Sequence, residues 1–180
     1  MKLVQQMRAV SALLFIALAA PVLAQPAPAP HHAAILRPAD LGKIIPSSVF
    51  FHGQSATTQL RNSGGVRFAD GSVIFAVLVD NSGYSNGIQQ KYQAYFVTEV
   101  PVEIEGHPLA PGAYGTGILK MHGELHFVVE DLGAHDLFHA VAKHDATLHR
   151  PVPLQVTAGA NTGTYRLYIG RNYVEFTRGK

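Results

Sequence analysis

Residues 135–149 read HDLFHAVAKHDATLH, four histidines and two aspartates in one short stretch. With His122 and His126, six of the ten histidines fall within 28 residues. Imidazole and carboxylate together are ligands for zinc, copper or nickel. The candidate ligands are therefore His135, His139 and His144, with Asp136 or Asp145 completing a set. Geometry decides between a site and a decorated surface. On a strand, His135 and His139 share a face but lie ~13 Å apart. A zinc ion needs each nitrogen within about 2.1 Å, so such a pair cannot share it.

A helix would reverse that conclusion. Leu137, Ala140, Val141, His144 and Leu148 follow an amphipathic helical stripe, and His135 and His139 would then sit on adjacent turns. The His-x-x-x-His spacing matches that of zinc-protease helices, although Asp136 stands where those carry glutamate. The surrounding sequence reads as β, so strand or irregular structure is the expectation. Each histidine is then exposed or hydrogen-bonded on its own, and no cofactor is expected, with zinc or copper as the alternative. His122 and His126 fall on opposite faces of their hairpin, and His31 and His32 lie in an N-terminal spacer.

Residues 81–99, NSGYSNGIQQKYQAYFVTE, form the longest polar connection and carry Tyr84, Tyr92 and Tyr95. Tyrosines on loops of a rigid sheet scaffold can stack on sugars or peptides, and they can equally turn into the core. These three are the candidate ligand-binding residues, for a carbohydrate, peptide or protein partner. GAYGTG at 112–117 has the look of a phosphate loop, but such loops lead into a helix and ILKM follows here. Its glycines are better explained by a bulge or a close backbone approach. No Gly-x-Ser-x-Gly elbow occurs, and Ser82 sits in a turn context capped by Asp80 and Asn81. A hydrolase would have to assemble its active groups from distant loops.

The elements that must position these residues are short strands. Asn62-Ser63-Gly64-Gly65, Asp70-Gly71, Asn81-Ser82-Gly83, Pro111-Gly112, Gly123, Asn161-Thr162-Gly163 and Gly170 read as turns between runs of Val, Ile, Phe and Tyr. That punctuation predicts an all-β antiparallel sandwich or a partly open barrel. In residues 165–176, YRLYIGRNYVEF, a two-residue turn at Gly170-Arg171 pairs Tyr168 with Tyr173, Leu167 with Val174 and Arg166 with Glu175. Glycine at the first central position suits a type II′ turn. In residues 117–130 a turn at Gly123-Glu124 sets Met121 against His126 and Leu119 against Val128. SVIFAVLVD at 72–80 is apolar without alternation, as a strand covered on both faces should be. Pro101, Pro151 and Pro153 keep their segments at strand beginnings or sheet rims. IEGHPLAPGAY at 104–114 resembles a hairpin of secreted β-sandwich modules, over eleven residues only.

The N-terminus determines the expected compartment. Lys2 and Arg8 precede an apolar run over residues 9–20, and small residues lead to Ala24. This is the pattern of a secretory signal peptide cleaved after Ala24, with a retained anchor as the alternative. Residues 25–34 form a Pro/Ala linker and 35–180 one folded domain. The run is too short to span a bilayer, so no transmembrane segment is expected after cleavage. The chain has 14 basic and 12 acidic residues, and losing Lys2 and Arg8 leaves 12 of each. A neutral chain has no electrostatic warrant for nucleic acid. Cysteine is absent, which removes disulfides and thiolate chemistry. The expectation is a periplasmic or secreted binding or structural module without catalysis. A periplasmic metal-binding protein using residues 122–149, and a hydrolase with a loop-borne site, are the alternatives.

Overall fold

The computed structural model describes residues 33–180. The signal peptide and all of the linker but its last two residues lie outside that range. In chain order the elements are β1 (Ala34–Leu36), α1 (Pro38–Leu41), β2 (Ser48–Phe51), β3 (Gln54–Arg67), β4 (Val73–Val79), α2 (Asn86–Lys91), β5 (Ala94–Thr98) and β6 (Val102–Ile104). There follow β7 (His107–Leu109), β8 (Gly112–Met121), β9 (Glu124–Glu130), β10 (Asp136–Val141), β11 (Lys143–His144), β12 (Leu154–Ala158), β13 (Thr164–Ile169) and β14 (Asn172–Arg178).

The strands make two antiparallel sheets, a sandwich-like all-β fold. One has eight strands in the order β1-β3-β4-β5-β8-β9-β10, with β2 added to β3. The other has six in the order β12-β13-β14-β6-β7, with β11 added to β14. A shared cluster fills the space between them. Ile74, Phe96 and Phe127 come from the first sheet, and Ile104, Leu167 and Phe176 from the second. The first sheet is also covered outside. Leu41 of α1 packs on Val73, Phe75 and Val77, while Tyr84 and Tyr92 pack on Phe51 and Val79. That double cover explains why β4 lacks alternation: Ile74 and Ala76 face inward and Phe75 and Val77 face the outer layer.

The β13–β14 hairpin has the register expected from its turn, with Tyr168 opposite Tyr173 and Arg166 opposite Glu175. Gly170 has φ +63, as the first position of a type II′ turn requires. The β8–β9 hairpin corrects the expectation. Its turn is His122-Gly123, both at positive φ, which is what type I′ demands. Met121 therefore faces Glu124, and Leu119 faces His126. Partners move by two positions while each residue keeps its face, because the slip is even.

Asn62-Ser63-Gly64-Gly65 is a second correction, since it lies inside β3 and makes no chain reversal. The β3–β4 register shifts between Thr58 and Ser63, and glycine is needed because β12 presses on this strand. A Cβ on Gly64 would stand 2.6 Å from the Val156 nitrogen. Polar turn residues here serve a close approach between sheets. Residues 81–99 are corrected too, for they contain α2 and β5. Asn81 Nδ2 donates to the carbonyls of Gln89 and Tyr92, fastening the helix to the turn before it.

Candidate functional site

The tyrosines expected on loops are mostly interior. Tyr84 is buried, its hydroxyl 3.1 Å from the carbonyl oxygens of Phe51 and Gln54. Tyr92 is fully buried and stacked on Phe51, with ring centroids 3.8 Å apart. Tyr95 lies in β5, half-buried against both outer clusters. The Tyr84 and Tyr92 rings are spent on core packing, the second of the two placements open to them, while Tyr95 stays partly exposed.

The histidines have separate partners. His135 precedes β10, and its Nδ1 lies 3.0 Å from Asp131 Oδ2. Asp131 also accepts the backbone N–H groups of Gly133 and His135, and these bonds hold its carboxyl below the usual range. His139 is on β10, with Nε2 2.9 Å from Asp136 Oδ2. His144 is on β11, with Nδ1 2.8 Å from Asn172 Oδ1. Residues 136–141 are a strand, so the helical reading of this stretch does not hold. Among the described residues no group of three or more His, Asp or Glu side chains has metal-holding geometry.

One cluster does assemble from this region. Asp136 faces Glu130 across β9–β10, but the next pair is Phe138 with Val129, so Leu137 is an extra residue. This bulge returns His139, opposite Val128, to the face that Asp136 and Glu130 occupy. Without it, residues three apart on a strand would point to opposite sides. Lys91, the last residue of α2, closes the cluster from above. Its Nζ lies 2.6 Å and 2.7 Å from the two Asp136 oxygens and 4.0 Å from Glu130 Oε1. Deleting Leu137 is the expected way to dissolve this arrangement. The Asp136→Asn change, which is expected to move the His139 imidazole nitrogen resonances in the parent protein because the two side chains lie 2.9 Å apart, should then leave them unchanged. A surviving response would sink the bulge argument.

Glu130 is the unusual member. It is 1% exposed, and its Oε2 has no hydrogen-bond partner among the described residues. Its carboxyl is pushed up to about 7, chiefly by burial and further by the negative charges of Asp136 and Asp131, against the downward pull of Lys91. Burial also pushes Asp136 up, but the bonds from Lys91 and His139 outweigh it and leave that carboxyl below its ordinary range. Two carboxylates thus compete for one ammonium, and the exposed one wins. With a buried carboxyl raised to about 7, the cluster can take up or release a proton near neutrality. Sequence reasoning passed over both Glu130 and Lys91. A carboxylate closing the apolar run Phe127-Val128-Val129 was the available signal for the first. Lys91 lies 45 residues from Asp136 and carried none.

A second feature is open. Where β12 meets β1 and β3, a groove of about 510 Å³ runs along the seam of the sheets. Leu36, Pro38, Val152, Leu154 and Val156 make it apolar. Arg37, Arg61 and Gln155 supply its charged and amide groups. The volume is within the range of small-molecule sites.

Among the described residues no helix is long and apolar enough to cross a membrane. The chain matches no family model, no curated protein and no solved structure.

Proposed function

We propose that this chain is an exported, non-enzymatic binding module, released after Ala24 to the periplasm or the exterior, whose ligand lies in the groove between β1, β3 and β12. The groove carries the reading. It is open to solvent and apolar, and it carries Arg37 and Arg61, neither of which has a carboxylate within 4.0 Å among the described residues. The groups best suited to acid–base work are committed to one another: Asp136 to Lys91 and His139, with Glu130 closed beneath them. A concave apolar site with a few convergent polar groups is the usual form of a small-molecule pocket.

Methyl NMR of the chain beginning at Gln25 tests the reading, with a panel of apolar probes of neutral, anionic and cationic type. Saturable shifts confined to Leu36, Leu154 and Val156 are expected for at least one probe. A panel that leaves those methyls unmoved would remove the groove as the binding site. The reading also needs no metal. Calorimetric titration of metal-free protein with Zn²⁺ or Cu²⁺ is expected to show no stoichiometric site tighter than micromolar, and such a site would favour a metal-binding role.

A further inference from the structure

The groove has a chemical bias beyond its shape. Arg37 follows β1 directly, and Arg61 lies in the stretch of β3 where the ladder with β4 is interrupted. Neither guanidinium has a carboxylate within 4.0 Å among the described residues. Arg166 pairs with Glu175, Arg178 with Asp70 and Arg171 with the Leu148 carbonyl, whereas Arg67 and Arg150, like Arg37 and Arg61, have no carboxylate within 4.0 Å among the described residues but do not line the groove. Gln155 also belongs to the lining, and its amide nitrogen is buried without a hydrogen-bond partner among the described residues. A buried donor left unpaired is destabilising, and an acceptor on a ligand that reached it would offset that cost. The apolar side is equally unfinished, since Val152 at the groove is 42% exposed.

We infer that the groove binds a small apolar molecule ending in a carboxylate. Two forked guanidinium groups match a planar two-oxygen anion, and they can approach it with paired N–H···O bonds. Apart from Ser63, Gln155 and Thr157 the rest of the lining is hydrocarbon or glycine, which rewards an apolar body and disfavours a heavily hydrated anion such as phosphate. This inference rests on the groove being the ligand site, and the test separates the two.

The chain beginning at Gln25 is titrated at neutral pH with decanoate and with decan-1-ol, which share a tail and differ in charge. The methyls of Leu36, Leu154 and Val156 report occupancy. Decanoate is expected to bind about tenfold more tightly than decanol or better. The combined Arg37→Gln, Arg61→Gln variant is expected to lose that advantage while binding decanol as before, which also shows that it is folded. Equal affinity for both probes in the parent, or full decanoate affinity in the variant, overturns the carboxylate inference and leaves the groove as the site. Decanoate shifts that appear only elsewhere on the protein, or no shifts with either probe, remove both.

Discussion

Glu130→Gln is expected to stabilise the protein in mildly alkaline solution by about 2–3 kcal/mol, with little effect near pH 5. The folded protein holds the Glu130 proton up to about 7, whereas an ordinary glutamate releases it near 4.5. Between those values the folded state binds more protons than the unfolded state, so stability falls as pH rises through that window. Above it the cost of a buried carboxylate is fully present. Glutamine keeps the shape of the protonated acid and carries no charge to desolvate, while Lys91 retains Asp136. Carboxylates held low, including Asp136, Asp131 and Glu175, act in the opposite sense. They stabilise above their unfolded values, and that stabilisation is lost only in more acid solution. The two effects therefore occupy different pH ranges. Urea unfolding at about pH 5 and about pH 8 should show the gap open only at the higher pH. In a domain of this size it corresponds to a rise in Tm of about 4–12 °C. A Glu130→Gln protein with the parent's pH dependence would show that Glu130 ionises normally.

Gly117→Ala is expected to cost about 2–3 kcal/mol and to disturb the same cluster from the other side. The glycine lies in β8 directly beneath the end of α2, and a Cβ there would stand 2.2 Å from the Lys91 carbonyl oxygen and 2.9 Å from its carbon. Both are backbone atoms, so relief requires α2 to lift. Lifting it draws the Lys91 ammonium from Asp136 and Glu130, which removes the one contact favouring ionised Glu130. The titration of Glu130, followed by carboxyl carbon NMR, should therefore move to still higher pH. Gly87→Ala is the matched control. That residue is within α2, and nothing lies within 4 Å of its added Cβ. It is expected to be neutral or stabilising by about 0.5–1 kcal/mol, because alanine restricts the unfolded chain and favours helix. Equal effects of the two alanines would refute the steric account.

Much of the architecture was legible because it is local. The β13–β14 register follows from one glycine and a period of two, both contained in twelve residues. The cover on both faces of β4 shows in its unbroken apolar run. The β8–β9 hairpin was less legible, since Gly123 suits either of two adjacent turns and only the positive φ of His122 selects between them. The tyrosines allowed two placements for a related reason. A polar stretch holding Tyr84 and Tyr92 reads as a loop until Phe51, more than 30 residues earlier, supplies the surface on which they pack.

By itself, then, the sequence determined an all-β chain, because alternation and turn chemistry act between neighbours, while the spacing over residues 137–148 left a helix open as the alternative to a strand. Only the tertiary structure decided what those strands bring together. The pairing of Lys91 with Asp136 depends on a bulge at Leu137 and on a helix docked over glycine. The groove needs segments from near residues 36, 62 and 155 to converge, which β12 achieves by packing on Gly64. Contacts across such separations are set by how two sheets fit, and the order of residues along the chain does not state that.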